Sequence, residues 1–178
     1  MQEKRTLPLR QICYIGIFAA VITICAWISV PLPWGVQFTM QTWAVALAGV
    51  VLGPKHGALA VLIYILLGVA GVPVFSHFRG GIGVVLGATG GFILTFPAMA
   101  WLAGLGARRG NAVLGACLLA AVAVNLIGGM VWFAVATNNT LWAAFIGAVA
   151  PFILPEIFKM IAVIIVGRGI QTAIRKAT

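Results

Sequence analysis

The sequence predicts an all-α integral membrane protein, a single bundle of six transmembrane helices that forms one domain over residues 1–178. Charged residues make up 7% of the chain and hydrophobic residues 63%, whereas about 25% of the residues in a soluble domain are charged. Apolar runs repeat along the whole chain, separated by glycines, prolines or basic residues. Two acidic residues among 178 are too few to solvate a globular surface, which excludes an ordinary soluble protein.

Six apolar runs are long enough to cross a bilayer, since a membrane helix takes about 20 residues and fewer when it is tilted or partly buried. The predicted spans cover residues 11–30, 38–52, 58–70, 87–105, 112–136 and 155–173. We expect a loop over residues 137–150. We also expect Pro155 to be the first residue of the last helix, a position that proline favours, with Glu156 in the first turn.

Basic residues predict how the bundle is oriented. All but two of the 11 lysines and arginines lie at the chain ends or in the loops after the second and fourth spans, which share one face. Cytoplasmic loops carry an excess of basic residues, so this face and both termini are predicted to be cytoplasmic. Arg79 and Lys159 remain in the outer half, where this rule predicts no cation. The net charge of +9 does not indicate a nucleic-acid partner, because the sequence has no basic face with interleaved aromatics.

Residues 76–92 combine six glycines with the outer cation Arg79. Glycine suits tight turns and close backbone approach, and an arginine in an apolar setting needs an anionic or carbonyl partner. The stretch is either a cap whose arginine meets a ligand carboxylate, or an interfacial loop whose arginine contacts lipid phosphate. It lacks GxGxxG, and the chain has no Walker A sequence, so we expect no ATP hydrolysis by this chain.

Glu156 and Lys159 are charged residues near the start of the last span, and their spacing places them on one helix face. Ionisable residues inside a membrane protein mark functional sites by default. The alternative is an ion pair that only neutralises itself, with Lys159 reaching to the lipid headgroups. An enzyme that uses Glu156 as a base is disfavoured because no histidine or metal cluster accompanies it. The three cysteines are odd in number and form no CxxC, so no metal site is expected.

The polar, small and aromatic residues elsewhere in the sequence each allow two interpretations. Gln41, at the outer start of the second span, either binds a urea or amide ligand or bonds between helices. The small residues Gly16, Ala19 and Ala20 in the first span let another helix approach closely. That helix belongs either to the same bundle or to a partner membrane subunit. Outer aromatics, among them Trp34, Phe75, Phe78 and Trp142, form either an interface belt or a stacking wall for a ligand.

Several segments together resemble the BioY family, the biotin-specific substrate-capture subunits of energy-coupling-factor transporters. They are PLPWGVQFTMQTW, LGPKHGALAV, GVPVF, FRGGIGVVLGATGGF and PEIFK. The resemblance implies a six-helix bundle in the bacterial cytoplasmic membrane with an outward-facing ligand pocket. It implies biotin as the transported ligand, no cofactor, and as partners a transmembrane coupling subunit and two ATPase subunits. The alternatives are a capture subunit for another small vitamin, a small membrane enzyme, or a structural scaffold.

The resemblance also implies site residues. The family carries an acid and a lysine, D-x-x-K, at the start of its last helix, where this chain has Glu156 and Lys159. We expect Lys159 or Arg79 to pair with the biotin carboxylate, and Glu156 and Gln41 to address the ureido group. The remaining residues expected around the ligand are Gly80, Gly81, Thr89, Gly90 and Gly91. Residues Gly16, Ala19 and Ala20 resemble the family's docking surface.

Overall fold

A computed structural model describes residues 9–31 and 36–176 of the chain, which are almost entirely helical. The helices are α1 (Leu9–Trp27), α2 (Gln41–Leu52), α3 (Pro54–Val69), α4 (Ile82–Val85), α5 (Gly90–Leu105), α6 (Asn111–Ala136), α7 (Leu141–Ala148) and α8 (Ala150–Lys176). A single 3-10 turn covers Ser76–Phe78, and two short strands, β1 (Ser29–Pro31) and β2 (Gln37–Thr39), lie between α1 and α2.

Each of the six predicted spans overlaps one of the longer helices. By length and composition, three of these helices can cross a membrane: Leu9–Trp27, Asn111–Ala136 and Ala150–Ile174. The other three are apolar but shorter: Gln41–Leu52, Pro54–Val69 and Gly90–Leu105. The chain is therefore a helical membrane protein, consistent with its composition.

Helix α5 lies at the centre of the bundle, packed against α2, α3 and α6, while α2 also contacts α1 and α8. Small residues make this packing close. A Cβ atom added to Gly57 would lie 2.6 Å from the Cα of Gly49, and one added to Gly104 would lie 2.5 Å from the Cα of Pro54. Close backbone approach of this kind is how membrane helices gain packing energy without a hydrophobic driving force between them.

A two-stranded antiparallel hairpin replaces the predicted helix ends around residues 28–39. Ser29 pairs with Thr39 and Pro31 with Gln37, so the predictions of a first helix through Val30 and a second from Phe38 are wrong there. Proline lacks the N–H that a helix interior needs and is tolerated at a strand edge, which explains why α1 ends before Pro31. The connecting residues, including Trp34, lie outside the described residues.

The segment before the last helix is also more ordered than predicted. Residues 137–150, expected to be a loop, contain α7, which the hydroxyl of Thr140 caps by accepting a bond from the Ala143 N–H at 3.2 Å. Helix α8 begins at Ala150, so Pro155 lies inside it and Glu156 lies beyond its first turn. Pro151, the second residue, is the proline at the position where a missing N–H has no cost.

Candidate functional site

A cavity opens at the end of the bundle where the hairpin meets α2, α5, α6 and α8. It contains about 590 Å³ of unoccupied space, counting its open mouth. Its lining residues are Val36, Gln37, Thr39, Gln41, Thr42, Ser76, Thr89, Phe92, Ile93, Phe96, Asn125, Leu126, Phe152, Glu156 and Lys159. Apolar and aromatic side chains share this wall with polar and charged ones, a combination that suits an amphipathic ligand.

Lys159 and Glu156 form a buried ion pair in the cavity wall. The ammonium donates to Glu156 Oε1 at 2.7 Å, to the Thr39 carbonyl at 2.7 Å and to Thr42 Oγ1 at 3.0 Å. Thr42 in turn donates its hydroxyl proton to the same Glu156 oxygen at 2.7 Å. An ammonium has three N–H donors, so all three of Lys159 are used within the protein.

Both side chains of this ion pair are buried. Its side chain is 5% exposed, and that of Glu156 is 4% exposed. The ammonium also lies 4.4 Å from the centre of the Phe38 ring, a favourable contact for a cation. The alternative in which Lys159 reaches to the lipid headgroups is therefore wrong, although its pairing with Glu156 is present. Removing one partner would leave an uncompensated buried charge.

Two acceptor atoms in the cavity wall have no protein partner. Among the described residues, Glu156 Oε2 and Gln37 Oε1 are buried and make no hydrogen bond. Both residues line the cavity. Because buried polar atoms are nearly always hydrogen-bonded in folded proteins, these two atoms point to an external donor.

Gln41 lies in the cavity wall, but its amide nitrogen already has a partner. It donates to the Tyr64 hydroxyl at 2.7 Å, and that hydroxyl donates to the Val74 carbonyl at 3.2 Å. The chain of bonds connects the cavity wall to the segment over residues 72–81, which we call the mouth turn. Sequence analysis missed Tyr64, because a tyrosine inside an apolar run resembles an ordinary core residue.

Arg79 lies at the surface of the mouth turn. Its side chain is exposed and does not line the cavity. The guanidinium donates to the Ser76 carbonyl at 3.4 Å, and Ser76 does line the cavity. From outside, the indole N–H of Trp27 donates to the Pro73 carbonyl at 3.0 Å, and its ring lies 4.7 Å from that of Phe78. Arg79 is thus beside the mouth rather than within the cavity.

The four predicted glycines serve backbone packing near the cavity rather than lining it, whereas Thr89 does line it. Gly81 has a φ of 93° and donates its N–H to the Gly68 carbonyl at 2.7 Å. A Cβ atom on Gly80 would lie 2.5 Å from the Val72 carbonyl oxygen. Side chains on Gly90 and Gly91 would collide with the Val85 carbonyl and the Trp132 side chain.

The chain is similar to known proteins over nearly its whole length. The model of the BioY family matches residues 1–176. This chain belongs to the BioY family. It is 42% identical over 167 residues to the probable biotin transporter BioY of Pyrococcus horikoshii, covering 93% of this chain and 98% of that protein. It is 34% identical to the biotin transporter BioY of Rhodobacter capsulatus, covering 90% and 93%.

A solved structure agrees with the fold of this BioY family member. The crystal structure of the S-component for biotin from an ECF-type ABC transporter superposes with a TM-score of 0.84 at 23% identity. The match covers 92% of each chain. The resemblance inferred from sequence segments is thereby confirmed at the level of family and fold.

Aromatic residues line the cavity of this BioY protein, and none of them is among the described aromatics that the sequence suggested for a stacking wall. Phe92, Phe96 and Phe152 are in the wall. Phe75 instead is buried with its ring edge-on to Tyr64, at 5.6 Å between centres. Phenylalanines inside apolar runs carry no local signal that separates a cavity wall from ordinary core.

The predicted docking residues on α1 do not all face the same way. Gly16 and Ala20 are exposed, and Ala19 is buried at 5% exposure. A Cβ atom at Gly16 would meet nothing within 4 Å. A partner helix can therefore approach Gly16 and Ala20, while Ala19 belongs to the internal core of the chain.

Proposed function

We propose that this BioY protein captures biotin as the substrate-binding subunit of an ATP-driven vitamin importer, without chemical change to the substrate. The observation that carries the proposal is the relationship over nearly the full length to proteins named biotin transporters. The cavity supports it chemically. Biotin joins a ureido ring and an apolar thiophane with an acidic arm, and the cavity joins unpaired acceptors to phenylalanine walls.

We propose that the chain crosses the plasma membrane six times and that its cavity faces outward. The cavity lies at one end of the bundle. At the other end, Arg168 bonds to Ala107 and Gln171 to the Val50 carbonyl, close to Arg108 and Arg109. The excess of basic residues at that end supports a cytoplasmic position for it, with both termini on the same side.

Within the cavity, we assign Glu156 to the ureido group through its Oε2 atom. Lys159 holds Glu156 in place, since its three N–H donors are all used by protein atoms. Arg79, beside the mouth with one long bond to Ser76, is the better placed of the two cations to meet the carboxylate of the acidic arm. Gly81 keeps the backbone of the mouth turn close to α3, and Gly91 lets the start of α5 approach α6.

Energy for uptake comes from partners: a transmembrane coupling subunit and two ATPase subunits. Gly16 and Ala20 on the exposed face of α1 support a docking surface for a helix of the coupling subunit. An alanine-sized or smaller residue at both positions permits close approach of two helices. The chain carries no Walker A sequence, so we assign ATP hydrolysis to those partners.

A binding measurement tests the proposal directly. Purified protein in detergent is titrated with radiolabelled biotin, and other small vitamins are added as competitors. We expect saturable binding of biotin that the other vitamins do not displace. Displacement by a different vitamin at lower concentration would assign the cavity to that vitamin, and the absence of biotin binding would refute the proposal.

A further inference from the structure

Gln37 is a cavity residue for which sequence analysis suggested no role. It is the first residue of β2, and its Oε1 atom is buried without a partner among the described residues. Glu156 Oε2 is the other such acceptor, and it lines the same cavity. Each buried polar atom without a partner needs a specific reason. Two unpaired acceptors in one cavity indicate a ligand that brings two donors.

The hairpin and α8 hold the two acceptors in a fixed relationship. Gln37 and Thr39 are two residues apart on β2, so their side chains lie on the same face of the strand. The Thr39 carbonyl accepts a bond from the Lys159 ammonium, which also binds Glu156. One ammonium therefore ties the strand that carries Gln37 to the carboxylate of α8.

We propose that Gln37 Oε1 and Glu156 Oε2 each accept one of the two N–H groups of a cyclic urea, so that Gln37 helps to determine ligand specificity. The inference rests on the proposed function, in which that urea is the ureido ring of biotin. The two N–H groups of such a ring diverge, and acceptors supplied by two different elements suit that geometry. Gln41, the amide predicted for this role, already donates its nitrogen to Tyr64.

The two bonds differ in strength. The bond to Glu156 involves a carboxylate and is charge-assisted, which makes it roughly twice as strong as the neutral bond to Gln37. A ligand that lacks either N–H leaves a buried acceptor unpaired, and such a site discriminates strongly against it. Gln37 thus contributes selectivity for a second N–H beyond what Glu156 supplies.

The test uses biotin and two isosteric cyclic carbamates, in each of which a ring oxygen replaces one ureido N–H. Dissociation constants are measured for the wild type and for Gln37→Met, which keeps the side-chain length but removes the acceptor. We expect the wild type to bind both carbamates more weakly than biotin. We expect Gln37→Met to bind biotin roughly three- to tenfold more weakly and to bind one carbamate as tightly as biotin, while still rejecting the other.

Two further variants complete the test. Gln37→Glu keeps an acceptor oxygen and is expected to retain discrimination against both carbamates, and it serves if Gln37→Met does not fold. Gln41→Met is the matched variant of the other cavity glutamine. The inference is overturned if Gln37→Met still binds both carbamates more weakly than biotin. It is also overturned if Gln41→Met, rather than Gln37→Met, binds one carbamate as tightly as biotin. Failure of the wild type to bind biotin is a different result, which refutes the proposed function.

Discussion

Two cations on α8 show how differently the two ends of the bundle treat a positive charge. Lys159 is buried against the carboxylate of Glu156 in the cavity wall. Arg168, about 14 Å further along the axis, binds neutral oxygens: the Ala107 carbonyl at 2.8 Å, Asn111 Oδ1 at 3.2 Å and the Arg109 carbonyl. We call these two regions the pocket end and the clamp end.

The difference teaches which end is built for a ligand. At the clamp end, the guanidinium of Arg168 binds the carbonyls of Ala107 and Arg109, which follow the C-terminus of α5. The negative end of the α5 dipole also favours a cation there. Gln171 adds bonds to the Val50 and Ala107 carbonyls. At the pocket end the pairing is incomplete, since Glu156 Oε2 has no partner among the described residues. A cluster whose polar atoms are bonded within the protein stabilises the fold, whereas a cluster with an unpaired acceptor can bind a ligand.

The largest expected effect comes from breaking the pocket-end pair. Lys159→Ala leaves Glu156 as a buried, uncompensated charge and removes the group that holds its carboxylate in place. We expect the dissociation constant for biotin to rise by roughly thirtyfold or more, measured by titration with radiolabelled biotin. Unchanged affinity would contradict the assignment of this pair to the site.

A double variant separates charge burial from recognition. Glu156→Gln combined with Lys159→Met removes both charges at similar volume, and replacing a buried pair by neutral groups is often tolerated. We expect its thermal unfolding temperature to exceed that of Lys159→Ala, while biotin affinity stays low. Recovery of tight binding would show that the carboxylate is not a ligand contact.

The clamp end supplies the contrasting prediction. Arg168→Gln removes charge-assisted bonds to carbonyl oxygens, and we expect it to lower the free energy of unfolding by about 2 kcal/mol. The biotin dissociation constant should stay within about twofold of the wild type, because Arg168 lies at the opposite end from the cavity. Arg168→Lys is the control: a lysine keeps the charge but not the fork, so it should restore stability only in part. A large loss of affinity in Arg168→Gln would mean that the two ends are coupled.

An intermediate effect is expected from Tyr64→Phe, at the pocket end. The change removes the hydroxyl between Gln41 and Val74 and leaves the Gln41 amide without its partner. We expect the free energy of unfolding to fall by about 1–3 kcal/mol, and biotin affinity to fall severalfold because the mouth turn loses its inner anchor. Chemical denaturation and biotin titration measure the two quantities. A stability loss with unchanged affinity would show that this anchor does not shape the pocket.

The smallest effect is expected from Trp27→Phe, which removes the outer anchor of the mouth turn. The bond to the Pro73 carbonyl is lost while an aromatic ring remains beside Phe78. We expect a change in stability of about 1 kcal/mol and faster amide hydrogen exchange within residues 72–81. Exchange that speeds up equally at the clamp end would point to general destabilisation instead.

The parts of the site that sequence analysis found are those where charge contrasts with apolar surroundings. Glu156 and Lys159 were predicted as a pair on one face, and the structure brings them together. Thr42 and Gln37 were missed because hydroxyls and amides next to apolar runs are common at helix ends, and Tyr64 because it lies inside an apolar run like an ordinary core residue. Their roles depend on contacts far apart in sequence, such as the bond from Thr42 to Glu156.

The fold, too, was predicted where the sequence signal is local and missed where it depends on distant contacts. The six long helices were predicted because apolar length is a strong local signal. The hairpin and α7 were not, because strand pairing joins residues across a turn and a short helix lacks a long periodic run. Pro155 was misplaced since sequence alone does not show which of two nearby prolines, Pro151 or Pro155, begins α8.

The hairpin makes the pocket wall sensitive to chain length more than to side-chain identity. Main-chain bonds between Ser29–Pro31 and Gln37–Thr39 set its register, so many side chains at Ser29 and Val30 are compatible with it. Inserting or deleting a single residue between Gln37 and Thr39 would instead shift the register of β2. Side chains alternate along a strand, and such a slip turns the pocket-facing set outward. In the evolution of such chains, substitutions in β1 should therefore accumulate freely, while indels within β2 should be eliminated.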